Sequence, residues 1–225
     1  MSELIVEKIN EVHVRVYSPD FGIECELADF FTYEYPGARF TPQYKARLWD
    51  GKVRMYDQIR KTLYVGLVEY MEKFAEKNGY TVTYKDDVKP HTSISYDQVK
   101  DFADSLEVCS RGKRIDVYDY QIEAVHLSLA DLRKVLVSPT GSGKSLIIYL
   151  ICRWYLEHGL KCIVVVPTTS LVEQMYSDFE DYSTENGWSA EDHCQKLYSG
   201  FPRDFQRDIL FTTWQSIYKL SLIHI

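Results

Sequence analysis

No two cysteines in this chain stand in a Cys-x-x-Cys spacing, and the five that occur are odd in number and scattered. That excludes a disulfide framework and makes buried, reduced thiols in a reducing cytoplasm the expectation. The sequence shows no N-terminal basic-then-apolar leader, and none of its apolar runs approaches the ~20 residues that span a bilayer. Internal repeats and low-complexity tracts are missing as well. Positive charge is in deficit. With 26 Lys and Arg against 33 Asp and Glu, the net charge of −7 excludes a surface coated for nucleic-acid binding. What remains is 45% apolar and 14% aromatic over 225 residues, enough for the core of one large domain or two small ones.

The charge is unevenly spread. Between Gly37 and Lys61 lie Arg39, Lys45, Arg47, Lys52, Arg54, Arg60 and Lys61, opposed only by Asp50 and Asp57. The same stretch interleaves Phe40, Tyr44, Trp49 and Tyr56. Cationic heads neutralise phosphates and aromatic faces stack on bases, so this is a candidate nucleic-acid segment. Arg39, Lys45, Arg47, Lys52 and Arg54 are its candidate contacts. Phe40 and Trp49 read instead as core residues.

Residues 1–90 pattern as a small α+β module. VHVRVY (12–17) alternates as a half-buried strand does, and Ser18 or Asp20 can cap a helix carrying Leu27, Phe30 and Phe31. Asp50-Gly51 reads as a hairpin turn. GLVEYMEKFAEKNGY places Leu67, Tyr70, Met71, Phe74 and Ala75 at helical spacing with Asn78-Gly79 closing it, and TVTY reads as a last strand. Lys85–Ser93 lacks periodicity and contains a proline, so it reads as a linker. Ser95 and Gln98 form a capping box ahead of Val99, Phe102, Ala103 and Leu106, which makes 91–112 a linker plus a bridging helix. From residue 113 to 219, strand-like and helix-like segments alternate. Continuous apolar runs such as Ile163–Val166 suit strands buried on both faces, so an α/β fold around a parallel sheet is expected.

Within that alternation, Val135–Ser145 reads VLVSPTGSGKS and runs into an apolar helix pattern. The expected order is a buried strand at Val135–Val137, a small-residue turn, and a helix starting at Gly143 or Lys144. Glycines at 141 and 143 let main-chain N–H groups turn toward phosphate oxygens, and the helix start adds partial positive charge. Thr140, Gly141, Ser142, Gly143, Lys144 and Ser145 are therefore the candidate ATP-binding loop. Lys144 is placed to reach the β- and γ-phosphates, and the Ser145 hydroxyl to ligate Mg²⁺.

The general pattern wants glycine at 138, and this chain has Ser138. A Pro-Thr-Gly-Ser-Gly-Lys-Ser loop without that glycine resembles the superfamily 2 helicases. Upstream, Tyr120-Gln121 resembles that family's adenine-reading glutamine, whose amide both donates and accepts. Val117 and Tyr118 stand where the family often has Leu-Arg. Downstream, IVVVPTTSLVEQM resembles the strand-to-helix motif that meets a nucleic-acid backbone, with Thr168 and Thr169 at the helix start; the pair reads equally as an ordinary N-cap. ILFTTWQSI resembles the next backbone-contacting motif through Thr212, Thr213 and Gln215. Together with the basic module, the series resembles phage recombination and repair helicases of superfamily 2 as far as about Lys219. That resemblance implies an incomplete RecA-like P-loop motor lobe and an ATP- and Mg²⁺-dependent DNA helicase or translocase acting on branched DNA. It also implies adenine reading by Gln121 and strand contacts by Thr168, Thr169 and Thr213.

The family's Asp-Glu-x-His motif does not occur in these 225 residues, so weak nucleotide binding and no turnover are expected of the chain itself. Leu220–Ile225, LSLIHI, back-translates without strain to CTGTCTCTTATACACATC, an end sequence used by a sequencing transposase. Residues 220–225 are accordingly expected to be non-native. Two other readings stand beside the helicase: the motor subunit of a restriction endonuclease, and a non-catalytic DNA-binding module.

Overall fold

The computed structural model describes residues 2–86, 88, 93–131, 133–200 and 206–218. Part of the linker reading and all of the 220–225 reading lie outside the described residues. The chain divides into two compact units, Met1–Pro90 and His91–Ile225.

The first unit contains β1 (Glu3–Lys8), β2 (His13–Tyr17), α1 (Phe21–Phe30), β3 (Thr32–Glu34), α2 (Pro42–Lys45), β4 (Lys52–Arg54), β5 (Tyr56–Asp57), β6 (Thr62–Tyr64), α3 (Val68–Asn78) and β7 (Thr81–Tyr84). Its main sheet runs β5-β6-β2-β1-β7, antiparallel except for the parallel β1–β7 pair. Alternation in β1 and β2 sends Leu4, Val6, Val14 and Val16 inward against Leu27 of α1 and Met71 and Phe74 of α3. Asp20 caps α1 by accepting the Gly22 N–H, and Gly79 ends α3 in the left-handed conformation, as the sequence leads one to expect.

Three expectations for this unit need correction. Asp50-Gly51 does not close a hairpin between its flanking runs, because β4 pairs with β3, twenty residues earlier, and residues 35–49 form an excursion between them. Phe40 is not in the core but 73% exposed, and Trp49 is only half-buried outside it, because that excursion is too short and too polar to fold over them. Lys61 also leaves the basic set. It adopts φ +56 and its Nζ lies 2.8 Å from the buried Glu24 carboxylate, which also accepts the Ser18 N–H at 3.0 Å. Lys61→Ala would strand that carboxylate, and a loss of about 2 kcal/mol is expected. The measurement is the urea midpoint of the first unit.

The second unit holds α4 (Tyr96–Ser105), β8 (Cys109–Ser110), β9 (Lys113–Arg114), α5 (Asp119–Asp131), α6 (Lys144–Glu157), β10 (Cys162–Val166), α7 (Thr169–Tyr182), α8 (Ala190–His193), β11 (Cys194–Leu197) and β12 (Ile209–Thr213). The capping box at Ser95 and Gln98 forms as read. Val99, Phe102, Ala103 and Leu106 of its helix are all buried in the core of this unit beside Ile122 and Val125 of α5. The sheet, β10-β12-β11, is parallel throughout, and β12 is buried along its whole length.

The expected strand at Val135–Val137 does not form. Val135 is 87% and Val137 96% exposed, and among the described residues no strand pairs with them. Nor is β10 buried on both faces, since Ile163 and Val165 are half exposed at the open edge of the sheet. A strand is held by its neighbours, and both departures share one cause: the backbone partner that would cover these apolar runs is not among the described residues.

Candidate nucleotide site and nucleic-acid interface

Helix α6 starts where the sequence places it, at Lys144, with Gly143 as its left-handed N-cap at φ +75. Gly141 is left-handed too, at φ +84. The two turns wrap residues 138–143 around the helix start. Ser142 donates its N–H to the Pro139 carbonyl at 3.4 Å, and the Ser138 and Ser142 hydroxyls meet across the loop. Among the described residues, the main-chain N–H groups of Gly141, Gly143, Lys144 and Ser145 reach no backbone acceptor. These donors and the end of a fourteen-residue helix make an anion-receptive surface. Thr140 is exposed on the same turn.

Lys144 folds over this loop, its Nζ donating to the carbonyls of Ser138 at 3.2 Å and Pro139 at 2.6 Å. Ser145 Oγ lies 3.0 Å from the Tyr182 hydroxyl at the end of α7. Burial raises the Tyr182 phenol above its ordinary range, so it stays protonated beside Ser145.

Gln121, the expected adenine reader, instead has its amide turned onto the loop with both ends bonded to main chain. Only 3% exposed, it accepts the Tyr118 N–H at 3.0 Å through Oε1 and donates through Nε2 to the Ser142 carbonyl at 3.0 Å. Tyr120 donates to the same carbonyl at 3.0 Å. The contact with the loop is so close that a Cβ on Gly143 would fall 2.3 Å from Gln121 Nε2. Sequence reasoning missed three residues here. The Tyr118 and Tyr120 rings stack at 5.7 Å and remain largely exposed beside Gln121. Their adjacency in sequence was a usable signal. Tyr182, 37 positions from Ser145, left none.

The strand-contact candidates are placed unequally. Thr168 is the N-cap of α7, its hydroxyl accepting the Leu171 N–H at 3.3 Å, and Thr169 is exposed beside it. Thr213 is buried, with its hydroxyl 3.1 Å from Ser216, so the structure does not bring that side chain to the surface with them. In the first unit, Arg39, Lys45 and Arg47 line one pocket with Tyr44, Trp49 and Asp50. Arg54 is committed to an ion pair with Asp50, whose carboxyl it holds at about 2, and Lys52 is exposed outside the pocket lining. No group of three His, Cys, Asp or Glu side chains placed to hold a metal occurs among the described residues.

Two families match this chain. Residues 9–85 match the one described as "DNA helicase UvsW, N-terminal", and residues 114–222 match "Type III restriction enzyme, res subunit". The ATP-dependent DNA helicase uvsW of Enterobacteria phage T4 is 34% identical over 220 residues, which is 92% of this chain and 43% of that protein. A crystal structure of T4 UvsW superposes with a TM-score of 0.85 at 33% identity, covering 96% of this chain and 44% of that one. The chain is UvsW-like. A second crystal structure of the UvsW helicase from bacteriophage T4 agrees, with a TM-score of 0.84, 33% identity, and coverage of 96% of this chain and 77% of that chain. The likeness runs through both units, so the second unit of this UvsW-like chain is part of a RecA-like motor lobe. The chain spans less than half the length of the curated relative it matches. No helix among the described residues is long and apolar enough to cross a membrane.

Proposed function

We propose that this chain is the DNA-selecting module and part of the first motor lobe of an ATP-dependent helicase that remodels branched DNA in phage recombination and repair. The observation that carries the reading is the loop at 138–145: two left-handed glycines, unbonded amides, a helix start and a lysine, all converging on one anion-sized surface. Bound ATP with Mg²⁺ supplies the transferable phosphoryl group and the cation that offsets its charge.

This chain's own residues bind and orient. Lys144 would exchange the Ser138 and Pro139 carbonyls for phosphate oxygens, Ser145 would leave Tyr182 and offer its oxygen to the metal, and Gln121 fixes the loop while the exposed Tyr118–Tyr120 pair presents ring faces where an adenine would stack. Thr168 and Thr169, at the start of α7, offer N–H groups and a free hydroxyl to a strand phosphate. The match of residues 9–85 supports the helicase reading over the restriction subunit, since that match lies outside the motor segment.

The test is a titration of a fluorescent ATP analogue with Mg²⁺. Lys144→Ala removes charge-assisted hydrogen bonds worth about 1.5–3 kcal/mol and is expected to weaken binding roughly 10- to 100-fold. Phosphate release by the chain should not exceed that of the Lys144→Ala variant. Equal affinities of the two proteins would sink the reading.

A further inference from the structure

Residues 35–49 of the first unit bury almost nothing, yet their conformation is well determined. Thr41 caps the short helix α2 by accepting the Tyr44 N–H at 3.4 Å, and Tyr35 donates its N–H to the Gly51 carbonyl at 2.8 Å. Gly51, at φ +79, is buried under Tyr44: a Cβ there would lie 3.0 Å from the Tyr44 ring and 3.0 Å from Ala38 Cβ. The absence of a side chain at 51 therefore lets the Tyr44 ring pack closely on the turn. Trp49 is held through its indole N–H, which donates to the Lys52 carbonyl at 2.8 Å, and by the Tyr35 ring at 5.7 Å. Two aromatic rings are thus fixed around an open pocket of about 690 Å³.

The charge around that pocket is of one sign. Arg39, Lys45 and Arg47 line it, while Asp50, its acidic member, is already neutralised by Arg54. Lys45 and Arg47 have no acidic partner among the described residues. Arg47 is held left-handed at φ +57, where glycine would be easier, so a guanidinium is retained at a conformational cost of about 1–2 kcal/mol. Fixed rings, next to cations with no acidic partner among the described residues, match a ligand with a flat apolar face and a phosphate on the same unit.

We infer that this pocket takes an unpaired nucleotide of a DNA strand, its base against Tyr44 and Trp49 and its phosphates on Arg39, Lys45 and Arg47. A paired base in a duplex has no free face to offer, so the pocket distinguishes the single-stranded arm of a branch from its duplex arms. The inference rests on the reading of this unit as a DNA module and specifies what the module recognises.

The experiment uses the whole chain and two fluorescein-labelled probes of equal charge: a thymidine octamer and an abasic octamer with the same backbone. Base stacking worth about 1–3 kcal/mol predicts roughly 5- to 150-fold tighter binding of the thymidine octamer. Tyr44→Ala should erase that difference, Tyr44→Phe should keep it, and Arg47→Ala should weaken both probes alike while lowering the salt slope by about 0.7. Equal binding of the two probes by the unmodified chain, or a preference that survives Tyr44→Ala, overturns the base pocket while leaving the module a backbone binder. If neither octamer binds, the DNA-module reading falls, and the pocket assignment with it.

Discussion

Alanine at position 143 is expected to weaken nucleotide binding by roughly 30- to 5,000-fold, and to do so more severely than alanine at 141. Both glycines are left-handed, at φ +84 for Gly141 and +75 for Gly143, so either substitution carries the backbone cost of about 1–2 kcal/mol. They differ in what surrounds them. A Cβ on Gly141 meets nothing within 4 Å, whereas one on Gly143 lies 2.3 Å from Gln121 Nε2. Gln121 would have to move, breaking its bonds to Tyr118 and Ser142 and leaving polar atoms buried at about 1–3 kcal/mol. The combined loss of about 2–5 kcal/mol is roughly 30- to 5,000-fold in affinity, against about 5- to 30-fold for Gly141→Ala. Calorimetric titration of ATP and Mg²⁺ into both variants checks this. Equal losses at the two positions would remove Gln121 from the account.

Arg153→Ala is expected to lower the stability of the second unit by about 3 kcal/mol, with Arg153→Met losing no more than about 1. Arg153 is 7% exposed, and no carboxylate pairs with it among the described residues. Its guanidinium lies 4.6 Å from the centre of the Trp188 ring and 5.5 Å from that of Tyr149, and donates to the Tyr149 hydroxyl at 2.6 Å. Trp188 in turn stacks on His193 at 5.2 Å, and His193 Nδ1 lies 2.8 Å from Asp208. The cation is therefore stabilised through ring faces, each worth up to about 2 kcal/mol when desolvated. Alanine removes that attraction and leaves a void, while methionine refills the volume without a charge to desolvate. Thermal unfolding followed by near-ultraviolet circular dichroism reads both variants. A methionine variant as unstable as the alanine one would show that the charge itself holds the cluster.

Local chemistry carried most of what the sequence revealed. The capping box at Ser95 and Gln98, the Asp20 cap, the Gly79 stop and the start of α6 each depend on two or three adjacent residues, and all four are where their spacing puts them. Features needing a distant partner were not legible. The pairing of β4 with β3 across residues 35–51 is decided by tertiary packing, so Asp50-Gly51 looked like a hairpin in isolation. An apolar run such as Val135–Val137 states that a strand wants covering but not what covers it. In the candidate site, the loop from Thr140 to Ser145 was readable because an anion cradle needs glycines at fixed offsets. The junction of Tyr182 with Ser145 and the burial of Thr213 arise from how α7 and β12 pack, and no spacing encodes them.

The open side of β10 sets how this chain behaves at the bench. Ile163 and Val165 stand half exposed on a strand that is paired with β12 on one side and with no strand among the described residues on the other, and Val135 and Val137 stand nearly bare. Such a border is a template for any extended greasy peptide, another copy included. Its colloidal lifetime therefore shortens as concentration rises, through this apolar margin, however well its two cores are packed.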